Sequence, residues 1–162
     1  MSLLPQNEVI LRDRFPVVLQ RILETGSETG PFRMEDTDNG PQLWVRRGEN
    51  EFPFYGKGDP RKLVRRWLKL VSIESHSLYA VTGFGSGIHL REFLHQAGPE
   101  TMVYAAEKEP GLLREAFSRI DCSDLLKDER FFLATGELDD VFFLNLQHAA
   151  VQGVRDIDRL VF

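Results

Sequence analysis

A chain of 162 residues is long enough for one domain with a true core. A composition of 42% hydrophobic and 28% charged residues excludes an intrinsically disordered chain, and no apolar run approaches the roughly 20 residues of a membrane span. A net charge of −5 leaves no general excess of Lys and Arg to neutralise phosphates, which argues against nucleic acid as a partner, and the lone Cys122 makes neither an internal disulfide nor a metal cluster, as expected of a cytoplasmic protein.

In chain order, Glu8 to Glu24 reads as a helix that kinks or starts late at Pro16, with Val18, Leu19, Ile22 and Leu23 at helical spacing. The opening MSLLPQNEVILRDRFP has no cationic stretch followed by a long apolar one, so no signal peptide is expected. Thr25 to Pro31 is rich in breakers. The segment FRMEDTDNGPQLWVRRGENEFPFYG then alternates apolar and polar residues around two turn signals, Asp38-Asn39-Gly40 and Gly48-Glu49-Asn50. It predicts an antiparallel meander of three strands, which must pack on something else because it buries one face only. Asp59-Pro60 is a helix start, and the helix runs to about Val71 with Leu63, Val64, Trp67, Leu68 and Val71 as its apolar stripe. Its other face is basic (Arg61, Lys62, Arg65, Arg66, Lys69) and reads as a solvated surface or as a contact for an anion or a partner.

After Ser77 the pattern changes. LYAVT (Leu78 to Thr82), MVYAA (Met102 to Ala106) and RFFLA (Arg130 to Ala134) are short apolar strands. Helices are expected between and after them at Ile88 to Gln96, Pro110 to Ile120 and Leu138 to Val151, and RLVF (Arg159 to Phe162) begins a fourth strand. Apolar runs separated by helices indicate a parallel sheet. The expected fold class is therefore α/β: an N-terminal helix and small meander over residues 1–58, then a Rossmann-like, methyltransferase-like parallel sheet of about four strands over 59–162, left incomplete at its C-terminus. An apolar edge there invites association.

Gly83, Gly85 and Gly87, with Ser86 among them, stand where the first strand hands over to a helix. Glycine there permits a tight turn and close approach of a ligand to main-chain amides, or simply close packing of helix on strand. The spacing G-x-G-x-G fits the dinucleotide fingerprint poorly, because position 88 is Ile, and is closer to the first loop of S-adenosylmethionine-dependent methyltransferases. Glu107 ends the next strand where such folds hold ribose hydroxyls, and Glu137 follows the third strand where an acid often faces the base. Each has a plainer reading: Glu107 as a solvated strand end, Glu137 as a charge at a helix start. His89 opens the helix after the glycines and suits a phosphate contact or an acid or base role, or more plainly packing or capping. These seven residues are the candidate ligand set, with S-adenosylmethionine or a nucleotide-sugar as candidate ligands. Asp139-Asp140 point in different directions on a helix and make no shared site. No metal spacing, nucleophile elbow or P-loop occurs, and no catalytic residue is assigned.

The ordered set RFP, the Asp-Pro helix, GFGSGIHLREFL, AEKEP and LLKDERFFLATGE resembles the N-terminal part of the motility accessory factor (Maf) family over nearly the whole chain. Those bacterial proteins are linked to glycosylation of flagellin with nonulosonic acids. The resemblance implies an accessory segment, with transferase chemistry in a larger domain beyond this chain. Flagellin, a flagellar chaperone or a nucleotide-like molecule would be its partner. An S-adenosylmethionine-dependent methyltransferase is the alternative that the glycine loop leaves open.

Overall fold

The computed structural model describes residues 2–25 and 30–136. Two helices open the chain, α1 (Pro5–Arg14) and α2 (Pro16–Glu24). The single helix expected from Glu8 is thus two, and the first begins three residues earlier. Pro5 and Pro16 each occupy a first helical turn, where a missing N–H costs nothing. Between them Phe15 is forced out of helical geometry, at φ −133° and ψ 54°, as the residue before a proline must be.

The meander forms as predicted: β1 (Phe32–Thr37), β2 (Gly40–Arg47) and β3 (Asn50–Pro53) pair antiparallel in that order, with Met34 opposite Leu43 and Trp44 opposite Pro53. Met34 and Leu43 point inward and are buried. The main-chain N–H of Met34 donates to the buried Glu115 carboxylate at 3.0 Å, so a helix side chain covers part of this edge strand. Helix α3 (Pro60–Leu68) starts where Asp59 accepts from the Arg61 N–H at 2.9 Å. Its expected stripe splits. Val64 and Leu68 are buried, whereas Leu63 and Trp67 remain 49% and 44% exposed. The basic face is solvated, with Arg65 paired to Glu92 at 2.9 Å.

Strands β4 (Leu78–Thr82), β5 (Met102–Glu107) and β6 (Phe131–Thr135) form a parallel sheet in sequential order. Helices α4 (Ile88–Gln96) and α5 (Pro110–Arg119) make the crossovers. A short α6 (Ser123–Lys127), which periodicity does not reveal in five residues, precedes β6. The odd-numbered side chains of the sheet, among them Tyr79, Val103, Ala105, Phe131 and Leu133, join one core with the six described helices and the meander. Asn7 ties α1 to that core: its amide donates to Phe117 O at 2.9 Å and Ile120 O at 2.7 Å, and its oxygen accepts from the Cys122 N–H at 2.9 Å. These groups stand at the end of α5 and in the turn beyond it, and Phe117 O accepts from the Leu4 N–H as well, at 3.0 Å. The outer edge of β6 is occupied by guanidinium groups. Arg14 donates to Phe131 O at 3.3 Å and Arg21 donates to Thr135 O.

The expected helix Leu138 to Val151, the strand RLVF and Glu137 lie outside the described residues. Among the described residues no helix is long and apolar enough to cross a membrane.

Candidate functional site

The turn from β4 into α4 brings the glycines together with His89 and Glu107 at the carboxyl end of the sheet. Gly83, Gly85 and Gly87 all have positive φ, at 90°, 53° and 75°. Gly85 needs to be glycine for a second reason. A Cβ there would stand 2.6 Å from the Tyr55 hydroxyl. Phe84, between the glycines, turns into the core and meets Phe117 edge to face at 5.1 Å between ring centres. That anchor holds the loop against the sheet.

The amides of the loop are largely engaged from within. Gly83 N–H donates to Ala106 O at 2.7 Å, and Gly87 N–H to Phe84 O at 2.8 Å. Phe84 N–H donates to Glu107 Oε2 at 2.8 Å. The other Glu107 oxygen accepts from the Glu109 N–H at 3.0 Å. Glu107 is only 6% exposed, so its carboxylate is a buried brace between two strand ends rather than a solvated one. Ser86 is fully buried and both its N–H and Oγ approach the Tyr55 hydroxyl, at 3.3 and 3.4 Å.

His89 completes the network. Its Nε2 lies 3.1 Å from Gly83 O, an atom that only accepts, so Nε2 carries the proton and Nδ1 faces the Tyr55 O–H at 3.4 Å. Burial lowers the His89 pKa, with the Gly83 carbonyl pulling the other way, so the ring is neutral near pH 7. Burial likewise raises the Tyr55 pKa and keeps the phenol protonated. Tyr55 was not legible in the sequence as a member of this site. It sits in FPFYG at the end of the meander, and only the fold carries it to the glycines.

Beside the loop runs a groove of about 460 Å³ along β4. Phe54, Leu63, Trp67 and Phe93 line it together with Tyr79 to Gly83, and Gly85 and His89 stand at one end. Its walls are mostly apolar, so it can hold an apolar or aromatic group and offer few polar contacts. Among the described residues no cluster of His, Cys, Asp and Glu could hold a metal ion. Cys122 is buried, and desolvation pushes its thiol up to about 11, far from a reactive thiolate. The structure therefore brings Gly83, Gly85, Ser86, Gly87, His89 and Glu107 to one place, while Glu137 lies outside the described residues.

The fold and the loop define an α/β protein with a glycine-rich strand-to-helix turn at the carboxyl end of a parallel sheet. No family model matches the chain, and no curated protein matches it either. Among solved structures it is similar to the Maf glycosyltransferase from Magnetospirillum magneticum AMB-1, with a TM-score of 0.65 and 16% sequence identity over 95% of this chain. At that identity the likeness is one of fold. The chain corresponds to 31% of the length of that glycosyltransferase.

Proposed function

We propose that this chain is the N-terminal accessory unit of a Maf-type protein that takes part in glycosylating flagellin with nonulosonic acids in the bacterial cytoplasm. Its contribution is binding, not catalysis. The observation that carries this reading is the extent of the fold likeness: nearly the whole chain overlays under a third of a much larger glycosyltransferase. The site supports it. His89 has both ring nitrogens engaged, the hydroxyl beside it is the buried Tyr55 phenol that burial keeps protonated, and both Glu107 oxygens are committed to main-chain donors. What remains open is the groove along β4, where a nucleotide-like group or a protein partner finds apolar walls next to Gly83, Gly85 and His89.

The test is made in the source organism. Deleting the encoding gene should remove the nonulosonic acid mass from flagellin in intact-protein mass spectrometry, and flagellin of unaltered mass would overturn the reading. Calorimetry with S-adenosylmethionine and S-adenosylhomocysteine separates the methyltransferase alternative. Heat that vanishes in Glu107→Ala would replace the accessory reading by that one.

A further inference from the structure

Helix α3 carries three stripes in order round its axis. Val64 and Leu68 are buried. Leu63 and Trp67 each stand one residue earlier, about 100° round the helix, and are half exposed on the wall of the groove. Lys62 and Arg66 stand one residue earlier again, about another 100° round, and are exposed. Lys69 and Leu70 continue the cationic and the apolar stripe in the turn that closes the helix, and Leu70 is 84% exposed. Phe54, 61% exposed, lines the same groove from the end of the meander. An apolar stripe left in water beside cations is the pattern of a contact surface.

Charge narrows the partner. Residues 57–69 hold six lysines and arginines and one acid, Asp59, in a chain whose net charge is −5. Among the described residues only Arg65 of those six is in an ion pair, with Glu92. No carboxylate and no lysine or arginine lines the groove itself. This side therefore presents an uncharged apolar cleft with a positive border, on a molecule that is acidic elsewhere. A partner that complements it is apolar at its centre and negative at its flank.

The polar groups of the groove narrow it further, because they are already committed. Tyr79 Oη accepts from the Glu74 N–H at 2.7 Å and donates to Ser72 O at 3.0 Å, while Tyr55 and His89 hold each other and the glycine loop. A small polar ligand would bury its own donors and acceptors there without partners. An α-helix would not, since its main chain is hydrogen-bonded within itself. The wall from Leu63 to Val71 is about 12 Å long at the helical rise, and anchors at i, i+4 and i+7 span about 10 Å.

We infer that the groove is the docking site for an acidic amphipathic helix of a partner protein. Its apolar side chains at i, i+4 and i+7 would lie between β4 and the side chains of Phe54, Leu63 and Trp67, with its carboxylates toward Lys62, Arg66 and Lys69. This occupant rests on the reading of the groove as the open site, whereas the glycosylation reading stands or falls on the flagellin mass alone.

The probe is a synthetic peptide of about 18 residues, long enough to be helical, with leucines at i, i+4, i+7 and i+11 and glutamates along the flank. Titrated into the isotope-labelled 162-residue chain, it should shift the nuclear magnetic resonance signals of the Trp67 indole and of the Phe54, Val81, Thr82 and Phe93 amides, and leave those of β5 and β6 in place. Trp67→Ala and the double variant Lys62→Glu, Arg66→Glu should each weaken binding by about tenfold or more. These positions are exposed, and unmoved β5 amides show that the fold survives their change. No shift at about 1 mM peptide, or equal binding of a peptide with lysines in place of the glutamates, would overturn the inference. So would groove shifts produced by adenosine monophosphate or by phosphatidylglycerol vesicles and not by the acidic peptide, which would make the occupant a nucleotide or a lipid surface.

Discussion

The Tyr55 hydroxyl stands where a side chain at position 85 would begin, and two separate costs meet there. Gly85 has a positive φ, which strains an L-residue by roughly 1–2 kcal/mol, and its Cβ would overlap the hydroxyl at 2.6 Å. Removing the hydroxyl abolishes the second cost and leaves the first. Gly85→Ala should therefore destabilise the wild-type chain clearly more than it destabilises Tyr55→Phe, as read by urea denaturation of the four members of the cycle. Additive effects would show that Tyr55 does not fill the turn. The partner that makes Gly85 necessary is 30 residues away in sequence. A glycine signals that the backbone needs room, and does not say whether a ligand or a neighbouring side chain takes it. The same gap separates the two readings of Glu107: its place at a strand end was legible, its inward turn toward Phe84 and Glu109 was not.

At the scale of elements, Asn7 holds α1 to α5 through three buried hydrogen bonds. Asn7→Leu keeps the size but leaves Ile120 O and the Cys122 N–H without partners, at about 1–3 kcal/mol for each, while Phe117 O keeps the Leu4 N–H at 3.0 Å. A loss of about 3 kcal/mol in denaturant unfolding is expected. Arg12→Ala, which breaks only the exposed pair with Glu8, should cost about 0.5 kcal/mol. Equal effects would mean that the Asn7 bonds do not hold α1 in place. Most elements were legible because their signals are local. β4 and α4 lie at the bounds that the apolar run and the glycines imply, and the Asp59-Pro60 start of α3 is a cap that acts within one turn. The break at Phe15 was legible as a kink but not as two helices, since Pro16 sets a boundary without saying that Pro5 begins a helix of its own. The split stripe of α3 was not legible. Five apolar residues at helical spacing describe a face and not how much of it the neighbours cover, and here the groove leaves Leu63 and Trp67 half in water.

Across the whole molecule, Cys122 reports on how the parts hold together. It is buried in the core that the helices share with both sheets, next to the Asn7 contact, and its thiol is shifted up to about 11 by desolvation. Both effects protect it from thiol reagents. Labelling by a disulfide reagent at pH 8 should be slow in the native protein, and its rate should rise with urea in step with global unfolding. Fast labelling at low urea, before the sheet signals change, would mean that α1 opens from α5 and α6 as a separate unit.

The arginines on the outer side of β6 also set a limit on how copies of this molecule can meet. A fibre built strand to strand needs two usable flanks on every unit, one to give and one to receive. Two positive side chains already grip the carbonyls of one flank of the parallel sheet, and a neighbour would have to displace them and bury their charge. Among the described residues, strand-to-strand growth past β6 therefore costs the displacement of both guanidinium groups.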